Sequence, residues 1–308
     1  MDIGIGFGDR LVEAVLQRKT PVLVGLDPRW EQLPEVLTRS CDAADPAVKA
    51  RTYCEFCRGV IDVVAGLVPA VKPQAAFFEQ LGPVGMAALA DVVGYAAEKG
   101  LLVIIDGKRS DIGSTAEAYA DAYLGATSAW GGNELTVSPY LGEDSLMPFV
   151  DVARQRDAGI FVLVKTSNPG GGMFQDLMVE GRPVYLHVAA LVEDQAAQTA
   201  GQSGYGAVGA VVGATYPEQL VDLRDLMPHS WLLVPGFGAQ GGSATDVAGA
   251  FDGNGLGAIV NSSRGIIFAH SRPPYAEAFG DSRWQEAVEV ATLDMIGQLA
   301  DATPAGRL

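Results

Sequence analysis

The sequence predicts an α/β chain folded as a (β/α)8 (TIM) barrel, with extra terminal helices and an insertion between strands five and six. Three observations carry this reading. Eight short apolar runs recur along the chain. Longer amphipathic segments of helix length separate them. Charged and glycine-rich residues gather just after the runs rather than within them, where a barrel places its working face.

The elements follow in order. Gly8–Arg18 reads as an amphipathic helix ahead of the barrel. The strand candidates are Pro21–Leu26, Pro69–Val71, Leu101–Ile105, Glu134–Val137, Gly159–Val164, Ala207–Val212, Trp231–Val234 and Gly257–Val260. Their interiors are near-continuous aliphatic and β-branched runs, as parallel strands buried on both faces require. Helix patterns over Ala47–Gly66, Met86–Lys99, Ser114–Leu124, Asp144–Gln155, Tyr216–Leu226 and Ala244–Phe251 fall between them, and Trp284–Leu299 closes the chain. Strand–helix alternation at this spacing implies right-handed βαβ units. The segment Asn168–Gly204 is longer than an ordinary crossover. It carries Pro169-Gly-Gly-Gly172, a hairpin near Gln175–Tyr185 and a helix over Tyr185–Gln198, and reads as a lid or interface insertion. No low-complexity linker divides residues 1–308, so one domain is expected. A doubly wound open sheet is the competing architecture. It is weakened because no G-x-G-x-x-G opens a helix after the first strand.

Composition narrows the function. The 308 residues carry a formal net charge of −16, which disfavours a partner recognised through nucleic-acid phosphates. An acidic chain that takes an anionic small molecule must build a local cationic pocket against its own field. Glycine is abundant at 38 residues, roughly 12% against a usual ~7%, consistent with many tight turns and close backbone approaches to a ligand. The three cysteines, Cys41, Cys54 and Cys57, form no disulfide framework and suit a reducing cytoplasm. Cys54-Glu-Phe-Cys57 lies in a helix pattern with no second ligand pair nearby, so helix packing is expected rather than zinc or redox chemistry. His187, His229 and His270 lack metal-like spacing. No signal-peptide pattern opens the chain, and no apolar run is long enough for a membrane span.

The ends of the strands hold the candidate chemistry. Strand one ends in Asp27, strand two in Lys72, and strand three in Asp106, with Lys108 and Asp111 just beyond. Strand five ends in Lys165-Thr-Ser-Asn168, where a rim ion pair is the expected role of Lys165. Strand seven runs into Pro235-Gly-Phe-Gly-Ala-Gln240-Gly-Gly242 and strand eight into Asn261-Ser-Ser-Arg264-Gly265. Loops after strands seven and eight are the usual phosphate site of such barrels. Glycine-rich backbone offers N–H donors there, and Arg264 offers a bidentate fork. A lysine flanked by carboxylates after a buried aliphatic strand is held charged and must be paired or catalytic. Lys72 adds a further charge to this alternating group.

Together these segments resemble the orotidine 5′-phosphate decarboxylase family, in its longer bacterial subgroup. The resemblance rests on Gly25-Leu-Asp27-Pro, Val71-Lys72-Pro, Asp106-Gly-Lys-Arg-Ser-Asp-Ile-Gly-Ser-Thr115, Thr166-Ser-Asn-Pro-Gly170, Pro235-Gly-Phe-Gly-Ala-Gln-Gly-Gly242 and Ser263-Arg264-Gly265, in that order. It implies decarboxylation of orotidine 5′-monophosphate to UMP in the cytoplasm, without metal or organic cofactor. It also implies a charged tetrad of Lys72, Asp106, Lys108 and Asp111, with Lys108 protonating the carbon that loses CO2 and Asp106 lying against the departing carboxylate. Homodimers of the family share their sites, so Asp111 and Thr115 would reach into the partner's pocket. Ser167 would contact the pyrimidine, Gln240 would bridge pyrimidine and phosphate, Arg264 would clamp the phosphate, and Asp27 would bind a ribose hydroxyl. Pro235 and Ser263 complete the substrate-binding set. Ser263 stands where the family often has glycine, and is expected to add a hydroxyl donor.

Two other readings compete. A metal-dependent sugar-phosphate decarboxylase or aldolase barrel can share D-x-K-x-x-D. It needs a further acidic ligand at the end of strand two, where this chain has Lys72-Pro73. A non-catalytic phosphate-binding barrel would have little reason to keep four alternating charges at one rim.

Overall fold

In the computed structural model, which describes residues 6–238 and 241–308, eight parallel strands close into a barrel. In chain order these are β1 (Val22–Leu26), β2 (Ala70–Pro73), β3 (Leu102–Arg109), β4 (Glu134–Val137) and β5 (Gly159–Lys165). A hairpin of β6 (Met178–Val179) and β7 (Arg182–Pro183) lies outside the barrel, which resumes with β8 (Val208–Val212), β9 (Leu232–Val234) and β10 (Ala258–Ser262). The seam is the β1–β10 pair, with Leu23 beside Asn261.

The principal helices are α1 (Phe7–Arg18), α2 (Pro46–Val64), α3 (Pro83–Glu98), α4 (Gly113–Tyr123), α5 (Glu143–Gln155), α6 (Val184–Gln198), α7 (Pro217–Leu226) and α8 (Trp284–Ala302). Asp45 caps α2 by accepting the Ala47 amide at 2.8 Å, and proline fills the first turn, where its missing N–H costs nothing. None of the helices in the described residues is long and apolar enough to cross a membrane.

Strand alternation divides the core into two. Val22, Val24, Val71, Val103, Ile105, Leu135, Val137, Ile160, Val162, Ala210 and Val260 face outward against the helices. Leu23, Ala70, Ile104, Phe161, Val211, Leu233 and Ile259 face inward and fill the barrel. The inner set is closed from below by α1, whose Phe7, Leu11, Val12 and Val15 are buried against it. Trp231 fastens this plug, its indole N–H donating to the Gly8 carbonyl at 3.3 Å. The amphipathic N-terminal helix is therefore a stopper rather than an appendage.

Two sequence expectations need correction. Ala244–Phe251 does not form a helix; a single 3-10 turn, Ala248–Ala250, is all that appears. The side chain of Asp246 instead accepts from the Ser243 amide at 2.8 Å and the Ser243 hydroxyl at 2.6 Å, a local pattern that competes with helix bonding. The insertion is also shorter than Asn168–Gly204. Helix α6 packs on β5 and β8 as an ordinary crossover, leaving residues 166–183 as the added segment. The expected hairpin is present, turning through Glu180 (φ 50°) and Gly181 (φ 78°). Paired left-handed residues are what a tight hairpin needs.

Glu134 opens β4 on the inward face, fully buried, and neither carboxyl oxygen finds a hydrogen-bond partner among the described residues. Burial pushes its pKa well above the ordinary carboxylate range, only partly opposed by Arg10 of α1. The folded chain thus keeps a proton that the unfolded chain releases above its unfolded value near 4.5. Stability falls as pH rises from there towards the folded pKa. Glu134→Gln should remove that slope. Urea denaturation between pH 4.5 and 8 should show the variant gaining on the parent by up to about 1.4 kcal/mol per pH unit. A pH-independent difference would contradict a buried neutral acid.

Candidate active site

The inward alternation that fills the barrel continues upward into polar residues. Ala70 is followed by Lys72, Ile104 by Asp106, Glu134 by Thr136 and Ile259 by Asn261, each two positions further along its strand. These side chains floor a cavity of about 980 Å3 at the C-terminal ends of the strands. The loops after β4, β5, β9 and β10 form its walls.

Strand β3 does not stop at Ile105 but runs on to Arg109 through a bulge. Ile105 lies beside Leu135 and Arg109 beside Val137, so Asp106, Gly107 and Lys108 together face the single residue Thr136. Lys108 takes a left-handed backbone (φ 46°), which costs a non-glycine residue about 1–2 kcal/mol. Asp106 and Lys108, two residues apart, keep a common face through the bulge, and both line the cavity. Arg109 turns outward, to an ion pair with Glu79 and a hydrogen bond to the Tyr123 hydroxyl at 3.0 Å.

Asp106 is the centre of the site. Its Oδ2 accepts from Lys72 Nζ at 2.6 Å and Gln74 Nε2 at 3.0 Å. Its Oδ1 accepts from Lys108 Nζ at 2.5 Å and the Thr136 hydroxyl at 3.0 Å. Burial alone would raise the Asp106 pKa, but the ammonium groups of Lys72 and Lys108 reverse this and hold its carboxyl well below the usual range. Burial likewise works against the charge of Lys72, and Asp106 and Asp27 outweigh it, raising that pKa above the ordinary amine value. Lys72 is nearly enclosed, whereas the Lys108 side chain is about half exposed at 48%. One lysine is built in, and the other stands at the cavity surface.

Asp27, Lys72, Asp106, Lys108, Ser167, Pro235, Ser263 and Arg264 all line this one cavity. Asp27 Oδ1 is buried with no partner among the described residues. Ser263 takes its place because Gly25 has no side chain: a Cβ there would lie 1.9 Å from the Ser263 hydroxyl oxygen. Asp111 and Thr115 do not line the cavity. The Asp111 carboxylate accepts from the adjacent Ile112 amide at 2.9 Å, and Thr115 is exposed on α4. Gln240 lies outside the described residues.

Lys165 has a different fate from Lys108. A shift in register at the end of β5 pairs it with Val212, an outward residue. It is buried between the rings of Tyr185 and Tyr216, at 5.1 and 4.7 Å, and forms an ion pair with Asp176 of the insertion. The expected rim pair is therefore present and tethers the insertion. Gln74 and Thr136, which the sequence motifs did not single out, also belong to the cavity, as does Asn261 at the head of the run after strand eight. Their inward parity at strand ends was the available signal.

Cys57 is fully buried, and Cys54 donates to Asp91 at 3.1 Å; burial and then that carboxylate push the Cys54 thiol up to about 12. Among the described residues, no three His, Cys, Asp or Glu side chains gather as a metal site.

Comparison with known proteins places these observations in a family. The sequence profile of the orotidine 5′-phosphate decarboxylase / HUMPS family matches residues 20–279. An orotidine 5′-phosphate decarboxylase of Rhodopirellula baltica is 60% identical over 297 residues, covering 95% of this chain and 98% of its own. One from Deinococcus radiodurans is 43% identical over 265 residues, covering 85% and 89%. The solved structure of Leishmania donovani OMP decarboxylase superposes with a TM-score of 0.74 at 32% identity, covering 97% of this chain and 98% of its own.

Proposed function

The chain belongs to the orotidine 5′-phosphate decarboxylase / HUMPS family, and on that premise we propose how its own residues perform the reaction. That reaction converts orotidine 5′-monophosphate to UMP and CO2, in pyrimidine nucleotide synthesis. The single observation that carries the mechanism is Asp106 held between Lys72 and Lys108 at the floor of the cavity.

The pyrimidine lies over this cluster, its carboxylate near Asp106 and the carbon bearing it near Lys108. Cleavage of the carbon–carbon bond releases CO2 and leaves the electron pair on the ring carbon. The Lys108 ammonium stabilises that developing charge and then donates its proton to the carbon. Solvent reprotonates the amine, a route that its half-exposed side chain keeps open. At ~4 Å a unit charge pair is worth about 4 kcal/mol in a partly desolvated site, against about 1 kcal/mol in water. Asp106, whose pKa is strongly depressed, keeps its negative charge throughout. It also crowds the substrate carboxylate, a repulsion that CO2 loss relieves.

Binding falls to the surrounding walls. Arg264 holds the phosphate with the glycine-rich loop after β9, including Gln240, while the Ser263 hydroxyl adds a donor. Ser167 and Pro235 border the pyrimidine. The unpartnered Asp27 oxygen takes a ribose hydroxyl beside Lys72. Remote contacts of this kind hold the reacting carbon in register with Lys108. No cofactor enters this scheme. Lys72 occupies the place at the end of β2 where a metal-dependent barrel would need an acid, and Asp106 is already neutralised by two ammonium groups.

A second copy of the chain completes the site. Asp111 and Thr115 stand outside their own cavity, with Ile112 58% exposed between them. Close to the cavity, Tyr140 and Phe174 pack edge to face yet remain largely exposed. Such apolar area at the mouth suits a homodimer in the cytoplasm in which Asp111 and Thr115 cross to the neighbouring pocket.

Lys108→Ala should lower kcat more than about 10³-fold, since both a proton donor and a charge are lost. Loss of ultraviolet absorbance from orotidine 5′-monophosphate reports this directly. The parent enzyme should run equally fast with and without EDTA, and chelator-sensitive turnover would contradict the cofactor-free scheme. Mixing Lys108→Ala with Asp111→Ala subunits should restore activity through dimers that hold one intact site. Mixed dimers that stay inactive would argue against a shared site.

A further inference from the structure

We propose that Thr136 is a positioning residue for the decarboxylation, one hydroxyl that fixes both the backbone of Lys108 and the carboxylate of Asp106. The inference rests on the reading of Lys108 and Asp106 given above. The Lys108 amide is a donor and points at the Thr136 hydroxyl oxygen, 2.9 Å away. That oxygen must therefore accept, and its single proton remains free for another partner. The partner is Asp106 Oδ1 at 3.0 Å, which as a carboxylate can only accept. No other arrangement of the proton satisfies all three groups. Thr136 is 1% exposed, so water does not compete for either bond.

The bulge in β3 explains why such a residue is needed. Three residues, Asp106 to Lys108, face one on β4, so the ordinary ladder leaves the Lys108 amide without a β4 carbonyl opposite. The side chain of Thr136 supplies the acceptor instead and pins the left-handed turn at Lys108. Of the four donors to Asp106, two are cations, and one of them, Lys108, surrenders its proton during the reaction. Thr136 and Gln74 are neutral and keep their protons throughout. Gln74 reaches Asp106 from a loop after β2, whereas Thr136 comes from the middle of a barrel strand and also touches the Lys108 backbone. Its one hydroxyl thus ties the backbone of the proton donor to the carboxylate beside it.

The test compares Thr136→Val, which keeps the shape and loses the hydroxyl, with Thr136→Ser, which keeps the hydroxyl. Thr136→Ala serves as a smaller hydroxyl-free variant should valine disturb folding. With steady-state kinetics on orotidine 5′-monophosphate, valine and alanine should each lower kcat roughly 10- to 100-fold, as expected for a small misplacement of the reacting group. KM and inhibition by UMP should stay within about threefold of the parent, and serine should restore kcat to within about threefold. A normal kcat in the valine or alanine variant beside an inactive Lys108→Ala would overturn the proposal while leaving the mechanism standing. So would a serine variant as impaired as valine, or a defect confined to KM. An active Lys108→Ala would instead remove the underlying reading.

Discussion

A carboxylate at the floor of a barrel, almost out of reach of water, is a large debt of solvation, and the architecture around Asp106 exists to meet it. Two ammonium groups, an amide and a hydroxyl converge on its two oxygens. Remove the cations and burial would protonate the acid; add them without geometry and they would simply neutralise it. The four donors come from three neighbouring strands and one following loop, so the charge can be held only when β2, β3 and β4 are in register. Assembly of this charged cluster and correct closure of this part of the barrel are one condition.

The same constraint separates two lysines that look alike in sequence. Lys108 and Lys165 each follow an aliphatic strand and each meets a strand irregularity. In β3 the irregularity holds Lys108 at the cavity, beside Asp106. In β5 the register shift swings Lys165 outward, between two tyrosine rings and onto Asp176. Lys165 can keep its ammonium buried because a carboxylate and two ring faces receive it, whereas the half-exposed Lys108 needs only Asp106. Only Lys108 lines the cavity. Lys165 works at a distance, anchoring the insertion whose Phe174, Gln175 and Leu177 form a wall of the cavity.

Much of this was legible in the sequence because it depends on periodicity and on residue types that have few other uses. The eight strands stand out as aliphatic runs, and inward parity carries from Ile104 to Asp106 and from Ala70 to Lys72. Arg264 and the glycines ahead of it follow strands in the place a barrel reserves for phosphate. The bulges were not legible, since no residue type announces one or two extra residues in a strand. Thr136 was hidden for a related reason: a threonine in a strand is ordinary, and its hydroxyl matters only once three residues are known to face it. Ala244–Phe251 misled because its apolar spacing suits a helix, while Ser243 and Asp246 offer the backbone a nearer set of bonds.

The overall charge of −16 sharpens what the site must do. An anionic nucleotide approaching this chain meets a repulsive field at long range, screened beyond about 8–10 Å at physiological salt. Attraction has to be local, and cationic residues capable of it sit at the cavity: Lys72, Lys108 and Arg264. Of these, Lys72 is largely committed to Asp106 and Asp27. Arg264 is therefore the cavity cation best suited to the proposed phosphate contact, since Asp106 does not neutralise it. In the proposed mechanism, separating the charge that grips from the charges that react would let binding energy hold the ring over Asp106, where the substrate's own carboxylate is least welcome.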